Sequence, residues 1–171
     1  MTRQIRQQAF ETNSSSSHSV TIAPGNYVSD TLYVDDSGVC EIYPGEYGWE
    51  AEDYHSASEK ASYALTWAKS LTEGSADARN AEEMLIKVIK AETGAREVRL
   101  VPNFTAETKT ERDYWEWGYV DHQSGPGSGS DFAKVWKSEA LLHSFIFNPA
   151  SFVHTDNDNS PCSRCEETRV W

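Results

Sequence analysis

The sequence predicts an α+β fold: an antiparallel or mixed sheet of about five or six strands, packed by a helical hairpin and a third helix. Three observations carry this expectation. Apolar residues recur at helical spacing twice in succession between positions 56 and 94, with stop signals between and after them. Short β-branched and alternating runs lie on both sides of that region. Six tryptophans, eight tyrosines and six phenylalanines in 171 residues supply the area for one buried core, so a single domain spanning 1–171 is expected.

Taken in order, residues 3–9 read as a first strand or a short arm. His18–Ala23 reads as a strand stopped by Pro24-Gly25-Asn26. Thr31–Val34 and Val39–Tyr43 read as two short strands joined at Asp35-Asp36-Ser37-Gly38, where a turn glycine with positive φ is expected. Pro44-Gly45 ends the second, and Glu46–Asp53 reads as an acidic, aromatic loop. Ser56 with Glu59 forms a capping-box pattern, and Ala57, Ala61, Ala64, Leu65, Ala68 and Leu71 define one helix face before Gly74. Ser75 caps a second helix with Ala78, Ala81, Leu85, Val88 and Ile89 on its stripe and Gly94 at its end. Arg96–Val101 alternates as a half-buried strand, and Tyr114–His122 reads as another. A flexible Gly/Ser loop is expected at 124–130. A third helix is expected from Ser130 or Asp131 to about Leu142, ending before Asn148 because Pro149 follows. Ser151–His154 reads as a last strand, with an irregular tail from about 155.

Charge narrows the function classes. The net charge is −12, and residues 25–60 hold nine acids against one base. Phosphate backbones are repelled by such a stretch, so direct nucleic-acid binding is not expected. A solvated face and a surface for a basic partner both account for it. The apolar runs are too short to span a bilayer, and Met1–Arg6 lacks the apolar core of a signal peptide. Three cysteines, an odd number, fit a reducing compartment, and a cytoplasmic protein is expected.

Three polar blocks stand out as sites. Asn13, Ser14, Ser15, Ser16, Ser17 and His18 combine hydroxyls, backbone N–H groups and an imidazole, the means to cradle phosphate or ribose oxygens. If 16–18 are extended, Ser16 and His18 share one face and Ser17 points away. A solvated turn whose serines satisfy local backbone groups is the plainer account. Asp121, His122, Gln123 and Ser124 lie at a strand end before the Gly/Ser segment, a position ligand sites favour. That segment lacks the Gly-Lys-Ser/Thr end of a phosphate loop. Asn148, Asp156 and Asn157 offer carboxamide and carboxylate oxygens, but a calcium loop counted from Asp156 lacks its glycine. The three blocks are expected to converge on one pocket, with Phe10, Tyr119, Phe145, Phe147 and Phe152 as its floor.

Cys162 and Cys165 form half a zinc site, which His154 and a fourth ligand from Cys40 or another protomer would complete. The Pro161-Cys-Ser-Arg-Cys165 run matches part of the zinc-deaminase signature, but the chain has no His-x-Glu to supply its catalytic acid. Zinc is therefore the one cofactor the residues suggest.

The segment Phe10-Glu-Thr-Asn-Ser-Ser-Ser-Ser-His-Ser19 resembles the opening of a family of uncharacterised phage and prophage proteins. Gly118–Ser124 and Phe145–Asn159 resemble the same family, and the three blocks together cover about a fifth of the chain. The family brings no activity with it. The resemblance implies a phage or mobile-element accessory protein acting in the host cytoplasm, in counter-defence. Two readings follow. The chain binds, or binds and cleaves, a nucleotide-like or phosphorylated small molecule, or it is an acidic inhibitor docking on a basic host surface that receives nucleic acid.

Overall fold

The computed structural model describes residues 3–7, 16–48, 51–71, 76–103, 116–120, 135–136 and 138–157. Five strands come first: β1 (Arg3–Gln7), β2 (Ser16–Ile22), β3 (Val39–Ile42), β4 (Glu46–Tyr47) and β5 (Glu52–Tyr54). Helices α1 (Ala57–Ser70) and α2 (Ala76–Thr93) follow, then β6 (Glu97–Leu100), β7 (Tyr119–Val120), α3 (Glu139–Phe147) and β8 (Phe152–Asn157). The class is α+β, as the sequence predicts. Among the described residues the single sheet of five or six strands is not formed. The largest sheet there has four antiparallel strands in the order β1-β2-β8-β5, beside two separate parallel pairs, β3–β6 and β4–β7. Proline explains part of the division: Pro44 and Pro102 follow β3 and β6, and a residue without an N–H does not extend a ladder.

The helical hairpin follows the sequence most closely. Ser56 accepts from the Glu59 N–H while the Glu59 carboxylate accepts from the Ser56 N–H, the capping box the spacing predicts. Every residue of the expected α2 stripe is buried, Ala78, Ala81, Leu85, Val88 and Ile89. Helix α1 is buried beyond its alanine face, with Lys60, Tyr63, Thr66 and Trp67 also inside, because it packs on α2, α3, β3 and β7 at once. A helix with neighbours on several sides cannot keep a single apolar stripe.

Four other expectations are corrected. Thr31–Val34 joins no ladder; the chain there leaves a strap in which the Asp30 N–H donates to Phe147 O and Asp30 Oδ2 accepts from the Ala57 N–H. The acidic loop 46–53 instead contributes β4 and the start of β5. Helix α3 begins at Glu139, where Ser138 Oγ accepts from the Leu141 N–H, and runs on to Phe147 before the extended Asn148. Residues 155–157 continue β8, so the irregular tail does not start at 155; residues 158–171 and the Gly/Ser loop lie outside the described residues. Where turn chemistry was explicit it held. Gly38 takes φ 77° at the Asp35–Gly38 turn, and its carbonyl accepts from the Arg96 and Glu97 N–H groups. At Gly118 (φ 75°) a Cβ would stand 2.1 Å from Gly45 O, so only glycine lets β4 and β7 approach.

Lys60 ties the layers together. Its ammonium is fully buried and donates to Asn148 O at 2.8 Å and Ser151 O at 3.0 Å, just past the C-terminus of α3. Around it, Asn148 Nδ2 donates to Ala23 O, Ser151 Oγ donates to Ser144 O, and Ser151 Oγ accepts from the Ala23 N–H. The end of β2, the end of α3 and the start of β8 are thus joined through one lysine of α1. Lys60→Ala would leave a cavity and remove one donor from each carbonyl, and chemical denaturation should register a loss of about 3 kcal/mol.

Burial also sets the alkaline limit. Desolvation raises the tyrosine pKa values of Tyr47, Tyr54 and Tyr63 above the ordinary 10.0. The folded state then keeps protons that the unfolded chain releases above pH 10, so these groups withdraw stability as pH rises past that point. Desolvation lowers Lys60 from 10.5 to about 8, so its contribution to stability rises between those two values. Three groups oppose one. Thermal melts should show Tm level or slightly rising from pH 8 to about 10 and falling steeply above it. Tyr47→Phe should shallow that fall; a Tm independent of pH above 10 would contradict the buried-tyrosine account.

Candidate functional site

The β2–β8 pairing decides which polar residues meet. Its register sets Ser16 opposite Asn157, Ser17 opposite Asp156, His18 opposite Thr155 and Ser19 opposite His154. Two of the three expected blocks therefore lie on neighbouring strands of one sheet. On the far side of β8, the β5 register places Asp53 opposite His154 and Glu52 opposite Thr155. Strand pairing alone accounts for this, since residues far apart in sequence become direct neighbours across a ladder.

At the β5–β8 edge, His154 Nδ1 lies 2.7 Å from Asp53 Oδ1 and His55 Nε2 lies 4.0 Å from Asp53 Oδ2. A carboxylate can only accept, so an ionised Asp53 fixes the proton of His154 on Nδ1. The His154 side chain is 15% exposed and that of Asp53 24%, which leaves the pair within reach of solvent while partly shielded. The His55 ring packs on Phe152 at 5.1 Å. Tyr54 donates its hydroxyl to Glu52 and hydrogen-bonds Thr155, and burial followed by the Glu52 contact raises its pKa. Such a group combines one oriented imidazole, carboxylate acceptors and an aromatic wall. It can bind hydroxyl- and amine-rich ligands and can exchange protons with them.

His18 departs from its expected place at a pocket wall. It is 3% exposed, with Nδ1 3.2 Å from the Tyr63 hydroxyl and its ring 6.0 Å from the Tyr63 ring. Tyr63 meets Tyr47 edge-on at 5.0 Å and Phe145 at 6.3 Å, and Tyr47 in turn meets Tyr54 at 5.0 Å. The imidazole belongs to an aromatic chain running through the core to the edge of the site.

Asn148 is also occupied within the fold. Its side chain donates to Ala23 O and accepts from the Ala150 N–H, and it is 3% exposed. Of the expected aromatic floor, Phe145 and Phe147 are fully buried and Phe152 and Tyr119 partly so. Phe10, Asn13, Ser14, Ser15, Asp121, His122, Gln123 and Ser124 lie outside the described residues, as do Cys162 and Cys165. Among the described residues no group of three or more His, Cys, Asp or Glu side chains could hold a metal ion. Cys40, the suggested fourth zinc ligand, sits in β3 at 1% exposure, where burial pushes its thiol pKa up. His154, the suggested first ligand, is engaged by Asp53.

From the sequence Asp53 stood only as one acid of the surface for a basic partner, and His55 was not singled out. Their signal was there, since residues two apart in an extended segment share a face. Comparison with protein-family models, curated proteins and solved structures yields no match to this chain.

His18→Ala removes a buried ring from beside Tyr63. It should lower stability by about 1–3 kcal/mol in urea denaturation. A wild-type midpoint for this variant would show that His18 is not part of the core.

Proposed function

We propose that the protein binds a nucleotide-like small molecule at the end of the β2–β8–β5 sheet. It would act as a phage or mobile-element accessory protein with a counter-defence role in the host cytoplasm. The observation that supports this reading most is the register that sets Ser19 opposite His154 and His154 opposite Asp53, with the Ser17–Asp156 pair next along the same face. Glu52 and Asp53 bring negative charge to this edge, which favours contact with the ribose hydroxyls and base amines of a ligand over its phosphates. The oriented His154 also equips the site for proton transfer, so binding followed by cleavage is the catalytic form of the same proposal.

The alternative is an inhibitor whose acidic surface docks on a basic host protein. Several acids of residues 25–60 already have structural work. Asp30 accepts from the Ala57 N–H, Asp35 from the Ser37 and Val39 N–H groups, Glu59 closes the capping box and Glu41 pairs with Arg99. Helix starts and turns account for these carboxylates without a partner, which favours the small-molecule reading.

Calorimetric titration with a panel of nucleosides and of linear and cyclic nucleotides tests it. Asp53→Asn and His154→Ala should each weaken binding by about tenfold or more, the cost of one charge-assisted hydrogen bond, with little change in Tm. Unchanged affinity in both variants, or no binding by any member of the panel, would remove the site assignment.

A further inference from the structure

A second cluster lies where the strap of residues 24–34 crosses α2 and α3. Tyr27 Oη is 2.7 Å from His143 Nδ1, and His143 Nε2 is 2.6 Å from Glu92 Oε2. The three residues come from three different segments, so the chain of contacts is a product of the tertiary fold. The His143 contact first, and a hydrogen bond from Ser29 second, hold the Glu92 carboxyl below its ordinary pKa. An ionised Glu92 accepts only, so a neutral His143 carries its proton on Nε2 and turns a bare Nδ1 lone pair toward Tyr27. The Tyr27 hydroxyl also lies 3.5 Å from Ser144 Oγ, but the nitrogen is much the nearer acceptor. Packing of the Phe147 ring at 5.1 Å holds the imidazole in place. His143 and Glu92 side chains are 31% and 30% exposed, so a reagent reaches them from solvent.

An acid orienting an imidazole that in turn faces a hydroxyl is the arrangement by which nucleophiles are activated. We propose that Tyr27 is an activated nucleophile that accepts an acyl group from uncharged carboxylic esters. Tyr27 Oη attacks the ester carbonyl carbon as its proton passes to His143 Nδ1, and Glu92 stabilises the imidazolium. The bond from the carbonyl carbon to the leaving oxygen breaks, and the departing alcohol or phenol takes up the proton from His143. The products are the Tyr27 ester and one alcohol, with no oxidant or reductant required. Glu92 at the centre and the net charge of −12 disfavour anionic phosphoryl donors, which is why the acyl class is favoured.

The chain contains its own control in Tyr33, which is 82% exposed. The intact protein is treated with p-nitrophenyl acetate, and acetylation of each tyrosine is timed by peptide mass spectrometry. Tyr27 should be acetylated about 10²-fold faster than Tyr33, the lower end of what a positioned general base supplies. Full denaturation in urea should bring the two rates together. Glu92→Gln and His143→Gln should each reduce the Tyr27 rate while leaving that of Tyr33 unchanged. If the native protein acetylates Tyr27 no faster than Tyr33, the proposal fails and the cluster is only a tie between the strap and the helices. If Tyr27 is faster but the two variants do not slow it, the assigned activation fails as well.

Discussion

The buried ammonium of Lys60 is the contact on which the arrangement of layers depends. Removing a charge from water is costly, and the nearest compensation here comes from two backbone carbonyls, Asn148 O and Ser151 O. Those carbonyls follow the end of α3, where helix carbonyls lack internal partners and the helix dipole is negative. The need of the ammonium for these acceptors places α1 against the α3–β8 turn, where the Ser151 N–H also donates to Asn148 O, and Asn148 and Ser151 extend the constraint to Ala23 at the end of β2. The four-stranded sheet and the helices are thereby held in one relation.

An aromatic chain runs outward from that centre. His18, Tyr63, Tyr47 and Tyr54 touch in sequence, and Tyr54 reaches Glu52 and Thr155 at the edge where Asp53 and His154 stand. Tyr47 is fastened to α1 through Ser62 Oγ. The polar edge thus rests on rigid, densely packed rings, the support that a ligand-binding geometry requires. The strap of residues 24–34 performs a similar service on the other side of the helices. Asp30 meets both α1 and the end of α3, while Tyr27 reaches His143.

The candidate site was legible in part. The serine run marked a strand entry and Ser151–His154 the start of β8, both beside β-branched or aromatic residues, whereas the Asp/Asn run that continues β8 reads as irregular tail. That they would be partners in one ladder follows from long-range pairing, which local pattern does not encode. His18 and Asn148 show the limit of reading residue type. An imidazole and a carboxamide bear the same groups whether they face a ligand or satisfy the core, and here Tyr63 and the Ala23 carbonyl take them. Asp53 was hidden within an acidic run, where charge density masked a carboxylate positioned between two histidines.

By itself the sequence determined the elements whose causes are local. The capping box at Ser56, the α2 stripe from Ala78 to Ile89, the Gly38 turn and the stop at Asn148-Pro149 each depend on residues within a few positions of one another. Only the tertiary structure decided the rest. It divided the strands into one antiparallel sheet and two parallel pairs, buried Lys60 in a helix whose alanine face suggested one simple stripe, and started α3 at Glu139. It also brought Asp53 to His154 and Glu92 to His143. The physical reason is the range of the forces involved: caps and turns are satisfied within a few residues, whereas a buried charge or a strand edge is satisfied only by whatever distant segment the fold delivers to it.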